Sequence, residues 1–223
     1  MTTNKFTTAA SGISRLEGQK GLSLMEMGIA ATVLAALILG AMMGIQKLNF
    51  DRQMTEARKQ IPVTISAAVD AFSTQQNTSS LNTAKTGTRV MSSFNVWPDN
   101  RVKDKGLESV MVTGPFPGSH EYLMTNTTSA IPRLRQINQG FAYWITNIPD
   151  DACMPLLQTL ITNRSVASIH VGPAALKPTG TTTGTTNVGT YATNGSLTLN
   201  TTTASTACSG RGNRTLLALI ART

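Results

Sequence analysis

The chain has 223 residues, of which 13% are charged and 40% hydrophobic, a balance that excludes a disordered acidic or basic tail and leaves room for one medium domain plus accessories. Abundant Thr, Ser, Asn and Gly with few aromatics suit an extracellular, β-containing surface of uncharged polar side chains. The net charge of +8 does not imply specific nucleic-acid recognition, because cations such as Lys59, Arg89, Arg101, Lys103, Arg133 and Arg214 are scattered and no zinc-finger or RNP-like motif accompanies them.

The first twenty residues are short-ranged and polar, with Lys5, Arg15 and Lys20 against Glu17. From Leu22 to Ile45 the only charged side chain is Glu26. A helix of about 24 residues is about 36 Å long, enough to span a hydrocarbon layer of about 30 Å. An ordinary secretory signal has an apolar core of only about 7–15 residues before its cleavage site, so this run is too long to be one. The positive-inside count leaves orientation undecided, since Lys47 and Arg52 follow closely on the far side.

The helical pattern continues beyond the apolar run. Phe50, Met54, Ala57, Ile61, Ile65, Ala68 and Phe72 recur in steps of three and four, which keeps them on one helix face, while Asp51, Arg52, Thr55, Glu56, Arg58 and Lys59 point away. The expectation is one helix from Leu22 to Phe72, apolar all round in its first half and amphipathic in its second. Pro62 removes a hydrogen bond to residue 58 and predicts a kink.

The stretch "KG" followed by "LSLMEMGIAATVLAALILGAMMG" resembles the N-terminus of a type IV prepilin. The resemblance is specific over residues 15–75 and architectural beyond them. It implies an α+β type IV pilin fold: a long N-terminal α-helix packed against an antiparallel β-sheet head with a C-terminal disulfide-bounded region. It implies that residues 1–21 are a leader, 22–75 the long helix (22–45 transmembrane or filament core, 46–75 amphipathic) and 76–223 the globular head. By the same resemblance Gly21 is the cleavage glycine of a prepilin peptidase, Leu22 the first mature and N-methylated residue, and Glu26 the filament-assembly glutamate. Leu rather than Phe at the first mature position, a long leader and a large disulfide-bounded region look like the type IVb subclass.

A lone carboxylate at the bilayer centre is costly, about 2.5–3.5 kcal/mol on insertion scales. Two readings of Glu26 remain open. It pairs in a filament with the Leu22 amine of a neighbouring subunit, converting the cost into axial register, or it sits at headgroup depth at a helix N-terminus, which favours an anion.

Past Phe72, "STQQNTSSLNTAKTGT" reads as a loop and "RVMSSFNVWP" as a short helix or strand. "ESVMVTG", "HEYLMTN" and "GFAYWITNI" read as strands, the last aromatic, β-branched and bounded by Gly140 and Pro149. "DDACMPLLQTLIT" reads as a short helix capped by Asp150 or Asp151 with Pro155 in its first turn. "RSVASIHVG" is a further strand, "GTTTGTTNVGTYATNG" a low-complexity surface loop, "SLTLNTTT" a half-exposed strand and "RTLLALIA" the strand closing the sheet. The total is four to six short strands and one small helix, packed on the amphipathic half of the first helix.

Cys153 and Cys208, distant in sequence and outside any CxxC, read as one disulfide in a chain that leaves the cytoplasm, with two buried thiols as the alternative. The closed loop of about 55 residues corresponds to about 4 kcal/mol in the chain-entropy model.

Chemistry-bearing motifs are scarce. The histidines are His120 and His170; no HExxH, GxSxG or phosphate-cradling GxxxxGK[ST] occurs, "SGRGNRT" lacks a strand–helix context, and the sequons at Asn77, Asn126, Asn163, Asn194 and Asn213 are what this composition produces by chance. The expectation is no enzyme, with no catalytic, cofactor-binding or metal-binding residue. The expected function is a structural subunit of a type IVb pilus for adhesion, aggregation or conjugative contact. Its expected partners are copies of itself in a helical homopolymer, the prepilin peptidase, the inner-membrane assembly machinery and a host or recipient cell surface, with no specific nucleic acid. The expected location is the bacterial inner membrane as prepilin, then the extracellular pilus. The alternatives are a minor pilin or type II secretion pseudopilin, and a signal-anchored periplasmic enzyme or binding protein.

Overall fold

The computed structural model describes residues 23–73, 81–104, 110–125, 140–191, 196–210 and 212–221. The chain divides into two compact units, Met1–Leu48 and Asn49–Thr223. In the first, the described residues form the opening half of helix α1 (Leu24–Phe72), and none of their side chains is buried.

The second unit begins with the remainder of α1, whose apolar steps do what their spacing predicts. Met54, Ala57, Ile61, Ile65, Ala68 and Phe72 are buried, Phe50 is half-buried against the Phe116 ring, and Val63 faces out at 65% exposure. The helix is assigned continuously through Pro62. Helix α2 (Ala84–Ser93) and a 3-10 turn (Asp99–Arg101) lead into β1 (Val102–Lys103), β2 (Met111–Thr113), β3 (His120–Thr125) and β4 (Gly140–Ile148). Helix α3 (Asp150–Ile161), β5 (Val166–Pro173), β6 (Thr186–Tyr191), β7 (Leu197–Leu199), α4 (Thr201–Cys208) and β8 (Arg214–Ala221) complete it.

The strands form one eight-stranded antiparallel sheet in the order β1-β2-β3-β4-β8-β5-β6-β7. One face packs on α1 and α3 through Leu123, Phe141, Tyr143, Ile145, Ile169, Leu216, Ala218 and Ile220. The other face carries Met124, Ala142, Trp144, Ala167, Leu217 and Leu219, with Ala84 of α2 and Leu176 packed against it. Since successive side chains alternate faces, a strand buried on both reads as a continuous apolar run. That is the character of "GFAYWIT" and "TLLALIA".

Several expectations are corrected. Helix α2 straddles two readings, its first half (84–88) in the segment read as a loop and its second half (89–93) in the segment read as a short helix or strand; at the helix start the Thr83 side chain accepts the Thr86 N–H at 3.2 Å. Its Gly87 and threonines are weak helix formers, but they are what the packing requires. A Cβ on Gly87 would collide with the Leu123 carbonyl and the Met124 Cα, and the Thr88 hydroxyl accepts the Leu123 N–H at 3.2 Å. The low-complexity stretch read as a surface loop contains β6, which pairs with β5 on one side and β7 on the other. Val188 is its one fully buried apolar side chain, too little to create a visible alternation. "NTTT" does not extend β7 but opens α4, where the Asn200 side chain accepts the Thr203 N–H at 3.0 Å. Neither Asp150 nor Asp151 caps α3; Pro149 holds the cap position, and Pro155 lies in the second turn. The strand count rises from the expected four to six to eight, and α2 and α4 join the single small helix foreseen. Finally β8 does not close the sheet at an edge but runs through its middle, between β4 and β5.

Candidate assembly site

Helix α1 opens on Ser23. The Met25 N–H donates to Ser23 Oγ at 3.2 Å, the Met27 N–H to the Ser23 carbonyl at 3.0 Å, and the Ser23 N–H to Glu26 Oε2 at 2.9 Å. Serine at the cap with glutamate three residues on satisfies two helix-end donors, in a variant of the capping box where the hydroxyl takes the Met25 rather than the Glu26 N–H, and places the carboxylate at the positive end of the helix dipole. In the single chain, then, Glu26 has a local partner.

From there to Leu48 the helix carries Leu24 at 93%, Leu37 at 66% and Met43 at 69% exposure. It is the one helix among the described residues that is long and apolar enough to cross a membrane. Gly28, Gly40 and Gly44 interrupt the larger side chains, and a Cβ on any of them would meet nothing within 4 Å. At about 25 cal/mol per Å² of apolar surface, such a surface left in water is strongly unfavourable. Its side chains call for lipid or other apolar helices. Gly21 and Leu22 lie outside the described residues.

Cys153 on α3 and Cys208 at the end of α4 form a disulfide, with their Cα atoms 5.7 Å apart. Both residues are buried, and the bond joins the helix that follows β4 to the helix that precedes β8. Near it Asp150, released from capping, accepts the Gly212 N–H at 3.1 Å and lies 3.7 Å from Arg214 Nε. The bridged segment is richer in regular structure than its composition suggests, since it includes β5, β6, β7 and α4.

A polar cluster between α1 and the sheet has no counterpart in the sequence reading. Arg101 forms an ion pair with Glu121, donates Nε and Nη2 to the Thr113 carbonyl at 3.0 and 2.8 Å, and donates Nη1 to Gln60 Oε1 of α1 at 2.6 Å. The Trp97 indole N–H and the Tyr143 hydroxyl both donate to Glu121 Oε2 at 2.7 Å. Burial, then the Glu121 charge, holds the Tyr143 hydroxyl well above the usual tyrosine range, so it stays a donor. The residues involved are spread over α1, the link between α2 and the 3-10 turn, the turn itself, β2, β3 and β4, so no local pattern could announce them.

The two histidines lie on different strands, His120 on β3 and His170 on β5. His170 is buried, its Nε2 is 3.2 Å from Ser168 Oγ, and burial pulls its pKa down to about 4. His120 is half-buried on β3. Among the described residues no group of three or more His, Cys, Asp or Glu side chains is placed to hold a metal ion.

No family model matches the chain, and no curated protein matches its sequence. Solved structures do. A type IVb pilin from Salmonella typhi aligns over 74% of this chain and 97% of its own at 13% identity, with a TM-score of 0.49. TcpA, a type IV pilin from Vibrio cholerae El Tor biotype, aligns over 75% of this chain and 98% of its own at 15% identity, with a TM-score of 0.50. The fold is that of a type IV pilin.

Within the pilin fold the residues singled out from sequence fall into two groups. The two cysteines meet as a disulfide, and Glu26 stands at the start of a long apolar helix. The missed group, Trp97, Arg101, Glu121 and Tyr143 with Gln60, serves the packing of that helix's second half onto the sheet of the pilin head.

Proposed function

We propose that this chain is the precursor of a structural subunit that polymerises into a type IVb pilus. The observation that carries the reading is an all-round apolar helix, exposed from Leu24 to Leu48, joined to a disulfide-bonded head of type IV pilin fold. Residues 1–21 are the leader, and an inner-membrane prepilin peptidase cuts between Gly21 and Leu22. The Leu22 amine is methylated, and the subunit passes from the bacterial inner membrane into an extracellular filament with the help of the assembly machinery. In the filament the apolar halves of α1 replace lipid contacts with contacts to one another, and Gly28, Ala31, Ala35, Gly40 and Gly44 permit close approach. Glu26 there faces the Leu22 ammonium of a neighbouring copy, and a register slip leaves a buried charge unpaired. The filament serves adhesion, aggregation or donor–recipient contact at a cell surface, a mechanical role without catalysis.

Mass spectrometry of sheared surface material tests the reading. The expected N-terminus is Leu22 carrying one methyl group; a chain beginning at Met1 that never polymerises overturns it. The Glu26→Gln variant should be processed normally yet assemble at least tenfold less filament, as a loss of about 1.4 kcal/mol per contact implies; wild-type filament yield would remove the pairing role.

A further inference from the structure

Charge in the exposed half of α1 sits only at its two ends. Between Glu26 and Lys47 about twenty consecutive residues carry no Asp, Glu, Lys, Arg or His, and at 1.5 Å per residue the two charges lie about 31 Å apart along the helix. That matches the hydrocarbon thickness of a bilayer, about 30 Å. Glu26 has headgroup-compatible bonding from the Ser23 N–H, and Lys47 makes no ion pair among the described residues.

We propose that Lys47 sets the insertion depth of α1 by binding the phosphate of anionic phospholipid in the outer headgroup layer while Glu26 occupies the opposite one. The inference rests on the membrane-inserted precursor described under the proposed function. An ammonium on a four-carbon stem can lay its methylenes along the apolar helix and extend its charge to the interface. There it offers three donors to phosphate oxygens in the field of an anionic surface. Glu26 is then not held in the hydrocarbon before assembly. Its charge becomes costly only when the helix moves out of that register, and Lys47 resists such a move until a competing contact replaces the lipid.

The test uses the full chain, disulfide intact, in phosphatidylcholine vesicles with or without phosphatidylglycerol. Single cysteines, Ile45→Cys and Asn49→Cys, are labelled with an impermeant maleimide. In the otherwise wild-type chain Asn49→Cys should label fast and Ile45→Cys slowly. Adding Lys47→Glu should raise the Ile45→Cys rate about fivefold in phosphatidylglycerol vesicles, the equivalent of about 1 kcal/mol, and leave it nearly unchanged in phosphatidylcholine alone. Lys47→Arg should behave as wild type in both lipids. A Lys47→Glu effect that is absent, or equal in the two lipids, overturns the proposal while the membrane reading stands. Equal labelling of Ile45→Cys and Asn49→Cys in the wild-type chain shows a helix outside the bilayer and overturns both.

Discussion

Glu121 is the residue on which the buried polar cluster turns. Its carboxylate is 1% exposed and is shared by the Arg101 guanidinium, the Trp97 indole and the Tyr143 hydroxyl. Removing one member of a buried pair leaves the other charge unpaired, at a cost of about 3–5 kcal/mol, whereas replacing both by apolar side chains is often neutral. Arg101→Met should therefore lower the unfolding free energy by about 3–5 kcal/mol in urea titrations of the detergent-solubilised chain, and Arg101→Met with Glu121→Leu should recover only part of the loss, because the buried Trp97 N–H and Tyr143 O–H then lack their acceptor. His170 carries a second prediction at this scale. Its folded-state pKa of about 4 lies below the ordinary 6.5, so the unfolded chain takes up the proton first as pH falls. The stability it contributes is complete above pH 6.5 and is lost progressively between 6.5 and about 4, amounting to about 2–3 kcal/mol. The difference in unfolding free energy between wild type and His170→Leu should follow that window; a pH-independent difference would contradict a neutral, buried imidazole.

At the scale of elements, α1 is two helices in one. Its second half is held by an apolar stripe, so Ile61→Ala should destabilise the head by about 2–5 kcal/mol, while Val63→Ala two residues on, facing out, should change stability by less than about 0.5 kcal/mol. Thermal unfolding of the two variants checks the pair, and comparable losses would mean that the buried face has been assigned to the wrong residues. The stripe was legible in the sequence because period 3.6 is a local signal. The same holds for β4 and β8, whose apolar runs fill most of the strand. The first half of α2, helix α4 and strand β6 were not legible. Each is rich in Thr, Gly or Asn, and each is held by partners distant in the chain: Leu123 for Thr88, Cys153 for Cys208, and β5 and β7 for β6.

For the whole molecule the disulfide and the sheet order act together. Cys153 and Cys208 are 55 residues apart, and closing that loop should contribute about 4 kcal/mol through the unfolded chain. Reduction should lower the denaturation midpoint of the head correspondingly, and Cys153→Ala with Cys208→Ala should match the reduced wild type. An unchanged midpoint would leave the bond without a stabilising role.

By itself the sequence determined what is local or compositional in this protein: an apolar stretch of membrane-spanning length, one carboxylate at its start, an amphipathic continuation, an α+β head and two cysteines available to pair. These are legible because hydrophobic periodicity and charge placement are properties of neighbouring residues. Only the tertiary structure decided that β8 lies between β4 and β5, that threonine-rich segments become α4 and β6, and that Arg101 and Glu121 meet beneath α1. Those outcomes depend on which distant backbone donors, acceptors and charges meet when the sheet forms, and no stretch of neighbouring residues carries that information.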